Sequence, residues 1–201
     1  MKTNKNSENK LQGVKNKSGL LCIADISGFT TFVRKEELSL GLKFTKAFLQ
    51  AIIESNHLNL HISEIEGDAV FFYRFGTPPT AEEILLQFEK MLSVFHKKLR
   101  RINKGRELPH DLSLKLIVHY GEMSQYRLKG FTKLYGQCVI EVHRLLKSSV
   151  EHKQYALLTD DYLKSTAATL TTENRQCKMV EELRKLCYTY FPYENGLNSS
   201  K

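Results

Sequence analysis

Two aspartates carry the strongest chemical signal in this chain. Asp25 follows an apolar run, Leu20-Leu21-Cys22-Ile23-Ala24, and precedes Ile26, Ser27 and Gly28, after which Phe29 and Thr30 open a helical pattern. Asp68 stands behind Glu66-Gly67, between two strand-like segments. A strand end fixes a carboxylate in place, a glycine at a strand-to-helix turn lets the backbone approach a ligand, and the free N–H groups of a helix start attract phosphate. Taken alone, the first pattern is only an acid at a strand end beside a helix start. Two carboxylates brought within a few ångströms of each other are a different matter: one must hold its proton more tightly, or a divalent cation must bind between them.

The elements that would position them follow from apolar periodicity. Residues 20–24 are expected to form a buried strand. The segment from Thr30 to about Asn56 is helical, with Leu40, Phe44, Phe48 and Ile52 on one stripe and a break expected at Gly41. Leu58 to Ile65 alternates as a strand, Glu66-Gly67 is a tight turn and Ala69 to Tyr73 is a second strand, which puts Asp68 at a hairpin tip. Alternation also places Glu64 on the face of Leu60 and Ile62. Thr80 with Glu83 three residues later makes a capping box for a helix to about Ile102. A strand over 112–118, a short strand between Gly121 and Gly130, a helix from Gly136 to about Ser148, and strands at 155–158 and 186–191 complete the order. Its front half reads β-α-α-β-β-α-β, an α+β sandwich with helices packed on a mostly antiparallel sheet.

The 201 residues, 41% of them apolar, suit one domain with a sizeable core. It is expected over 19–192, with a basic tail at 1–18 and a C-terminal tail at 193–201. The formal charge of +8 invites a nucleic-acid partner, but the first 19 residues hold five lysines against one glutamate, so half the excess belongs to the tail. A second cluster, Lys97 to Arg101 with Lys104 and Arg106, lacks the interleaved aromatics of a single-strand groove and fits a solvated helix end. Nucleic acid is therefore not the expected partner. No apolar run approaches a membrane span and no secretory segment opens the chain, which leads to the expectation of a soluble, cytoplasmic protein. Cys22, Cys138, Cys177 and Cys187 show no metal-ligand spacing, and reduced, mostly buried thiols are expected.

The segments Ala24-Asp25-Ile26-Ser27-Gly28-Phe29-Thr30 and Glu64-Ile65-Glu66-Gly67-Asp68-Ala69, with Val118-His119-Tyr120-Gly121 and Gly136-Gln137-Cys138-Val139 further on, resemble class III adenylate and guanylate cyclase catalytic domains, and more narrowly a bacterial group of cyclase-like domains. The resemblance spans roughly residues 19–191. It implies the ferredoxin-like cyclase fold, a homodimer with composite sites at the subunit interface, and conversion of a nucleoside triphosphate to a 3′,5′-cyclic nucleotide and pyrophosphate. By the same resemblance Asp25, Asp68 and the Ile26 carbonyl would hold two Mg²⁺ or Mn²⁺ ions, and the amides of Ser27, Gly28, Phe29 and Thr30 would cradle phosphate. Arg144 would stabilise charge on the α-phosphate, and Arg184 or Lys185 would contact the leaving phosphates.

Two positions, Ile140 and Lys133, depart from the family pattern. Ile140 stands where the family has an asparagine that orients the ribose, one helical turn before Arg144. Losing such a donor typically costs about 10²- to 10³-fold in rate. At the base-reading positions the chain has Glu64 and Lys133; glutamate could accept from guanine N1–H and N2–H, and lysine could donate to O6, which makes GTP the favoured nucleotide. The alternative is that Glu64 and Lys133 pair with each other in a pocket that takes no base. A catalytically degenerate domain, binding metal or nucleotide and acting as a signalling module, is the second functional reading.

Overall fold

Residues 17–105, 111–148, 150–168, 173–180 and 184–193 are described by a computed structural model. Its centre is β1 (Lys17–Ser27), which begins within the stretch assigned to the basic tail; residues 1–16 lie outside the described set. Leu20 to Ala24 and Ile26 are all buried, because β1 has an antiparallel strand on either side and helices over both faces. Its neighbours are β3 (Ala69–Phe75) and β4 (Ser113–Leu128). With β2 (His61–Glu66), β5 (Phe131–Tyr135), β6 (Tyr155–Thr159), β7 (Arg175–Met179) and β8 (Lys185–Pro192) they form an eight-stranded sheet in the order β2-β3-β1-β4-β6-β8-β7, with β5 paired to β4. Only β4 and β6 pair in parallel, so the sheet is mostly antiparallel, as expected.

Successive side chains of β1 point to opposite faces, and both faces carry core. Leu20, Cys22, Ala24 and Ile26 meet Phe32 of α1 (Phe29–Lys35), Phe48 and Ile52 of α2 (Leu38–Glu54), and Phe88 and Phe95 of α3 (Ala81–Asn103). Leu21 and Ile23 pack with Phe71, Ile117, and Val142 and Leu145 of α4 (Gln137–Leu145). A further partner on the first face is Tyr162 of the short α5 (Asp160–Ser165), an element the sequence did not suggest. Full burial of each such side chain contributes roughly 1.5–3 kcal/mol. The capping box is present: Thr80 accepts from the Glu83 amide and the Glu83 carboxylate accepts from the Thr80 amide.

Four local expectations are corrected. The helical segment breaks at Glu36-Glu37, where both residues are extended, and Gly41 lies inside α2 with its amide donating to Glu37. The expected strand after Gly121 is the outer half of the long β4, which turns at Lys129-Gly130 into β5. A bulge between Ile62 and Glu64 shifts the β2 register, so Ile62 faces Phe72 while Glu64 faces Phe71. Phe72 and Phe71 point to opposite sides, so Glu64 leaves the face of Leu60 and Ile62 and joins the α4 side of the sheet. Finally, only Cys22 and Cys138 are buried free thiols; Cys177 and Cys187 are register partners in β7 and β8 and are joined by a disulfide.

Candidate functional site

The two aspartates meet through strand register. Asp25 lies opposite Ala69 in β3, the residue following Asp68. Both carboxylates line an open cleft of about 500 Å³ together with Glu66, Gly67, Phe71, and His143 and Arg144 from the C-terminal end of α4. Phe71 stacks on His143 with ring centres 4.7 Å apart, which seats the end of α4 against the hairpin. The strand end, the hairpin tip and the helix end thus bring Asp25, Asp68 and Arg144 to one place.

The electrostatics of the cleft are incomplete. Burial pushes the Asp68 carboxyl up to about 6, and the nearby charge of Asp25 adds to the rise, against smaller opposing effects of its backbone hydrogen bond and Lys115. Asp25 has a counter-ion: Lys115, its register partner on β4, places Nζ 3.0 Å from Oδ2 and also donates to the Leu146 carbonyl at 3.2 Å. Lys115 is the lysine whose charge reaches both aspartates; Arg144 and Lys147 also line the cleft, yet Asp68 forms no ion pair among the described residues. Sequence reading missed Lys115; its position directly across β4 from Asp25 is visible only once the β1–β4 register is known.

Among the described residues no group of three or more His, Cys, Asp or Glu side chains is arranged to hold a metal. Two carboxylates are nonetheless what a hard cation needs when its remaining ligands are water and phosphate oxygens, and the raised Asp68 carboxyl is the sign of a charge that such an ion would relieve. The Asp25–Asp68 pair fits one Mg²⁺ or Mn²⁺ in that way. A second ion would have to compete with Lys115 for Asp25.

The other residues singled out in the sequence lie elsewhere. Ile26 buries its side chain in the core. Gly28 caps α1 at φ 87°, where a Cβ would stand 2.6 Å from the Asp111 carbonyl oxygen, so glycine is required there by both conformation and space. Phe29 packs on the core and Phe32, Ser27 is half-buried and Thr30 is exposed; α1 itself is only seven residues long. Glu64 and Lys133 form an ion pair across β2 and β5, and that bond raises the Lys133 pKa. Ile140 is exposed on α4.

Arg184 is engaged at the middle of α4. Its Nε and Nη2 donate to the Glu141 carboxylate at 2.6 and 3.0 Å, and Nη2 also donates to Asp161 at 2.7 Å. Glu141 is 1% exposed, and its second source of support is His119, fully buried, whose Nε2 lies 2.9 Å from Oε2 and whose Nδ1 lies 2.9 Å from the Thr159 hydroxyl. A neutral imidazole satisfies both contacts: Nε2–H donates to the carboxylate, which can only accept, and the Thr159 hydroxyl donates to Nδ1. Burial alone would raise the Glu141 carboxyl, but hydrogen bonds from His119, Arg184 and Gln137 outweigh it and hold the group well below the usual carboxylate range. A smaller cleft of about 320 Å³ adjoins this network, lined in part by Gly121, Tyr135 and Cys138.

The family described as "Protein of unknown function (DUF2652)" matches residues 45–155. An uncharacterised protein of Mycobacterium tuberculosis strain H37Rv, Rv2561/Rv2562, is 29% identical over 119 residues, which cover 56% of this chain and 55% of that protein; the match thus spans about half the relative's length. Among solved structures, the guanylyl cyclase Cya2 superposes with a TM-score of 0.69 at 12% identity, over 93% of this chain and 98% of that one. A bacterial light-regulated adenylyl cyclase gives 0.67 at 16% identity, over 89% and 52%. The guanylate cyclase domain of RhGC from Catenaria anguillulae, solved in complex with GTP, gives 0.56 at 14% identity, over 88% and 97%. The fold is that of nucleotidyl cyclase catalytic domains.

Proposed function

This chain belongs to the DUF2652 family, and we propose that it is a nucleotidyl cyclase that converts a nucleoside triphosphate, GTP by preference, to the 3′,5′-cyclic nucleotide and pyrophosphate. The observation that carries the reading is the convergence of Asp25, Asp68 and Arg144 on one cleft, with the Asp68 carboxyl pushed up to about 6. In the reaction the ribose 3′-OH loses its proton, an O3′–Pα bond forms, and the bond from Pα to the β-phosphate oxygen breaks. Asp25 and Asp68 would hold Mg²⁺ or Mn²⁺, which on binding supplies Lewis-acid polarisation of the reacting oxygens. Lys115 pairs with the Asp25 carboxylate and orients it at the cleft. Arg144 offers a guanidinium to the charge that builds on the α-phosphate. Glu64 and Lys133 supply an acceptor and a donor that match guanine N1–H, N2–H and O6.

A homodimer is part of the proposal. Tyr126, Leu128, Phe131 and Tyr135 on the β4–β5 hairpin, with Ile140 on α4, are each about half or more exposed, an apolar surface that a second copy would cover. No helix among the described residues is long and apolar enough to cross a membrane, and a cytoplasmic setting, where nucleotides abound, is proposed with the activity.

The second reading, a non-catalytic binding module, is favoured by the three places where this chain closes its own site: Lys115 on Asp25, Lys133 on Glu64, and Ile140 in place of a donor. Pyrophosphate release with Mn²⁺ and each of GTP, ATP, UTP and CTP separates the two. Cyclase activity predicts release that Asp25→Ala abolishes. Binding without release selects the module, and absence of binding by all four nucleotides removes the cyclase reading and leaves only a module that holds metal.

A further inference from the structure

We infer that the Cys177–Cys187 cystine is a site of reversible thiol–disulfide exchange whose state is transmitted through Arg184 to helix α4. Four observations lead there. The bridge ties β8 to β7, the last strand in the sheet order, and Cys177 is exposed, so a thiolate can approach it from solvent. The remaining two cysteines are buried in the two core layers, and burial pushes both thiols up to about 12, which leaves them protonated and unable to compete in exchange. The bridged residues are ten positions apart, and the chain between them carries Arg184, whose carbonyl accepts from Val180 at 3.0 Å one step beyond the Met179–Lys185 register pair. Arg184 in turn is the cation that joins Glu141 of α4 to Asp161 of α5.

The path from sulfur to site is therefore short and made of named contacts. Glu141 and Arg144 stand three positions apart on α4, and the same helix that Arg184 anchors at Glu141 brings Arg144 and His143 to the Asp25–Asp68 cleft. With the bridge closed, the β7–β8 hairpin is held by a covalent link in addition to its ladder, and its open forms are suppressed. A cross-link across a loop of this length disfavours the open ensemble roughly 100-fold. With the bridge reduced, opening of the hairpin releases Arg184, and the buried Glu141 loses the two hydrogen bonds that Arg184 donates.

The exchange balances with a dithiol reductant. Its thiolate attacks Cys177 Sγ, the Cys177–Cys187 bond breaks, and Cys187 leaves as a thiolate that takes up a proton. The reductant's second thiol then displaces Cys177 from the mixed disulfide, so two electrons pass to the protein and the reductant becomes a disulfide. The structural effect is independent of the proposed cyclase activity; only its consequence for turnover rests on that reading.

The test uses the full chain with dithiothreitol as the dithiol and oxidised glutathione as the oxidant, followed by alkylation mass spectrometry and amide hydrogen exchange. Under native conditions the oxidised protein should alkylate at no cysteine, and the reduced protein at Cys177 and Cys187 only. Reduction should speed exchange across 175–180, 185–189 and 137–145 by roughly 10- to 100-fold. Arg184→Gln should show fast exchange in 137–145 in both states while its cysteines still cycle, and Cys177→Ser should match the reduced protein and ignore dithiothreitol. Free Cys177 and Cys187 thiols under oxidised glutathione overturn the proposal. So does a bridge that cycles while exchange in α4 stays unchanged. These readouts involve no nucleotide, so they stand or fall apart from pyrophosphate release.

Discussion

Two carboxylates placed along α4 are in opposite electrostatic states. At the middle of the helix, Glu141 receives hydrogen bonds from His119, Arg184 and Gln137 and is held well below the ordinary carboxylate range despite its burial. Beyond the C-terminal end, Asp68 is only partly buried, shares one lysine with Asp25, and is raised to about 6. Burial is common to both; the donors decide the sign. A carboxylate whose partners all come from the chain is a fastener, whereas one left short of positive charge is a place for a cation from outside.

The sharpest way to break this contrast is Glu141→Ala. Removing the acid leaves Arg184 with Asp161 alone and His119 Nε2–H buried without an acceptor. A buried donor left unpaired typically costs about 1–3 kcal/mol, and urea denaturation should show a loss of that size. A loss below about 1 kcal/mol would mean that the network holds nothing together. The next effect concerns rate. Ile140→Asn restores a donor on the exposed face of α4, one turn before Arg144, and should raise pyrophosphate release about 10²-fold with little change in stability. An unchanged rate would turn the assignment of this helix face to the ribose aside.

How much of this was legible in the sequence differs between the two carboxylates. Asp25 and Asp68 could be paired in advance because both sit beside turn-forming residues at element ends, where local pattern is strongest, and the resemblance supplied the α4 arginine. The alternation that fixed the Asp68 hairpin failed for Glu64, since a bulge is a one-residue event that leaves no mark in a period-two pattern. The Glu141 network was invisible for another reason: its members come from β4, β6, α4, α5 and the start of β8, and only the completed sheet order brings them together. The cystine was missed because pairing across an edge hairpin depends on register, which a spacing of ten residues does not reveal.

A smaller effect tests the acidic cleft by pH. The Asp68 carboxyl has a folded value of about 6 against an ordinary aspartate value of 3.8. The folded state therefore binds this proton more tightly than the unfolded chain, so stability falls as pH rises from about 4 to 6 and the cost is complete above 6. With the partial exposure of the group, screening reduces that cost to about 1 kcal/mol. Asp68→Asn should recover it at about pH 7.5 and flatten the slope between about pH 4 and 6. Mn²⁺ should stabilise the wild type at about pH 7.5 and chelation should remove the gain, while Asp68→Asn should respond to neither. Equal Mn²⁺ shifts in both proteins would remove the cation from Asp68.

The smallest effect comes from Glu64 and Lys133, a half-buried pair near the surface whose contribution to stability should be only about 0.5–1 kcal/mol. Glu64→Lys or Lys133→Glu alone places like charges together and should cost about that amount, and the double exchange should recover it, because the pair needs opposite signs and not a particular order. Guanine is not indifferent to order. Its N1–H and N2–H need the acceptor on β2 and its O6 needs the donor on β5, so the doubly exchanged protein should keep wild-type stability and lose its preference for GTP over ATP in equilibrium binding. Retained preference would assign the pair to packing, with base choice set by other residues; lost preference at unchanged stability separates recognition from folding at a pair where one measurement alone would confuse them.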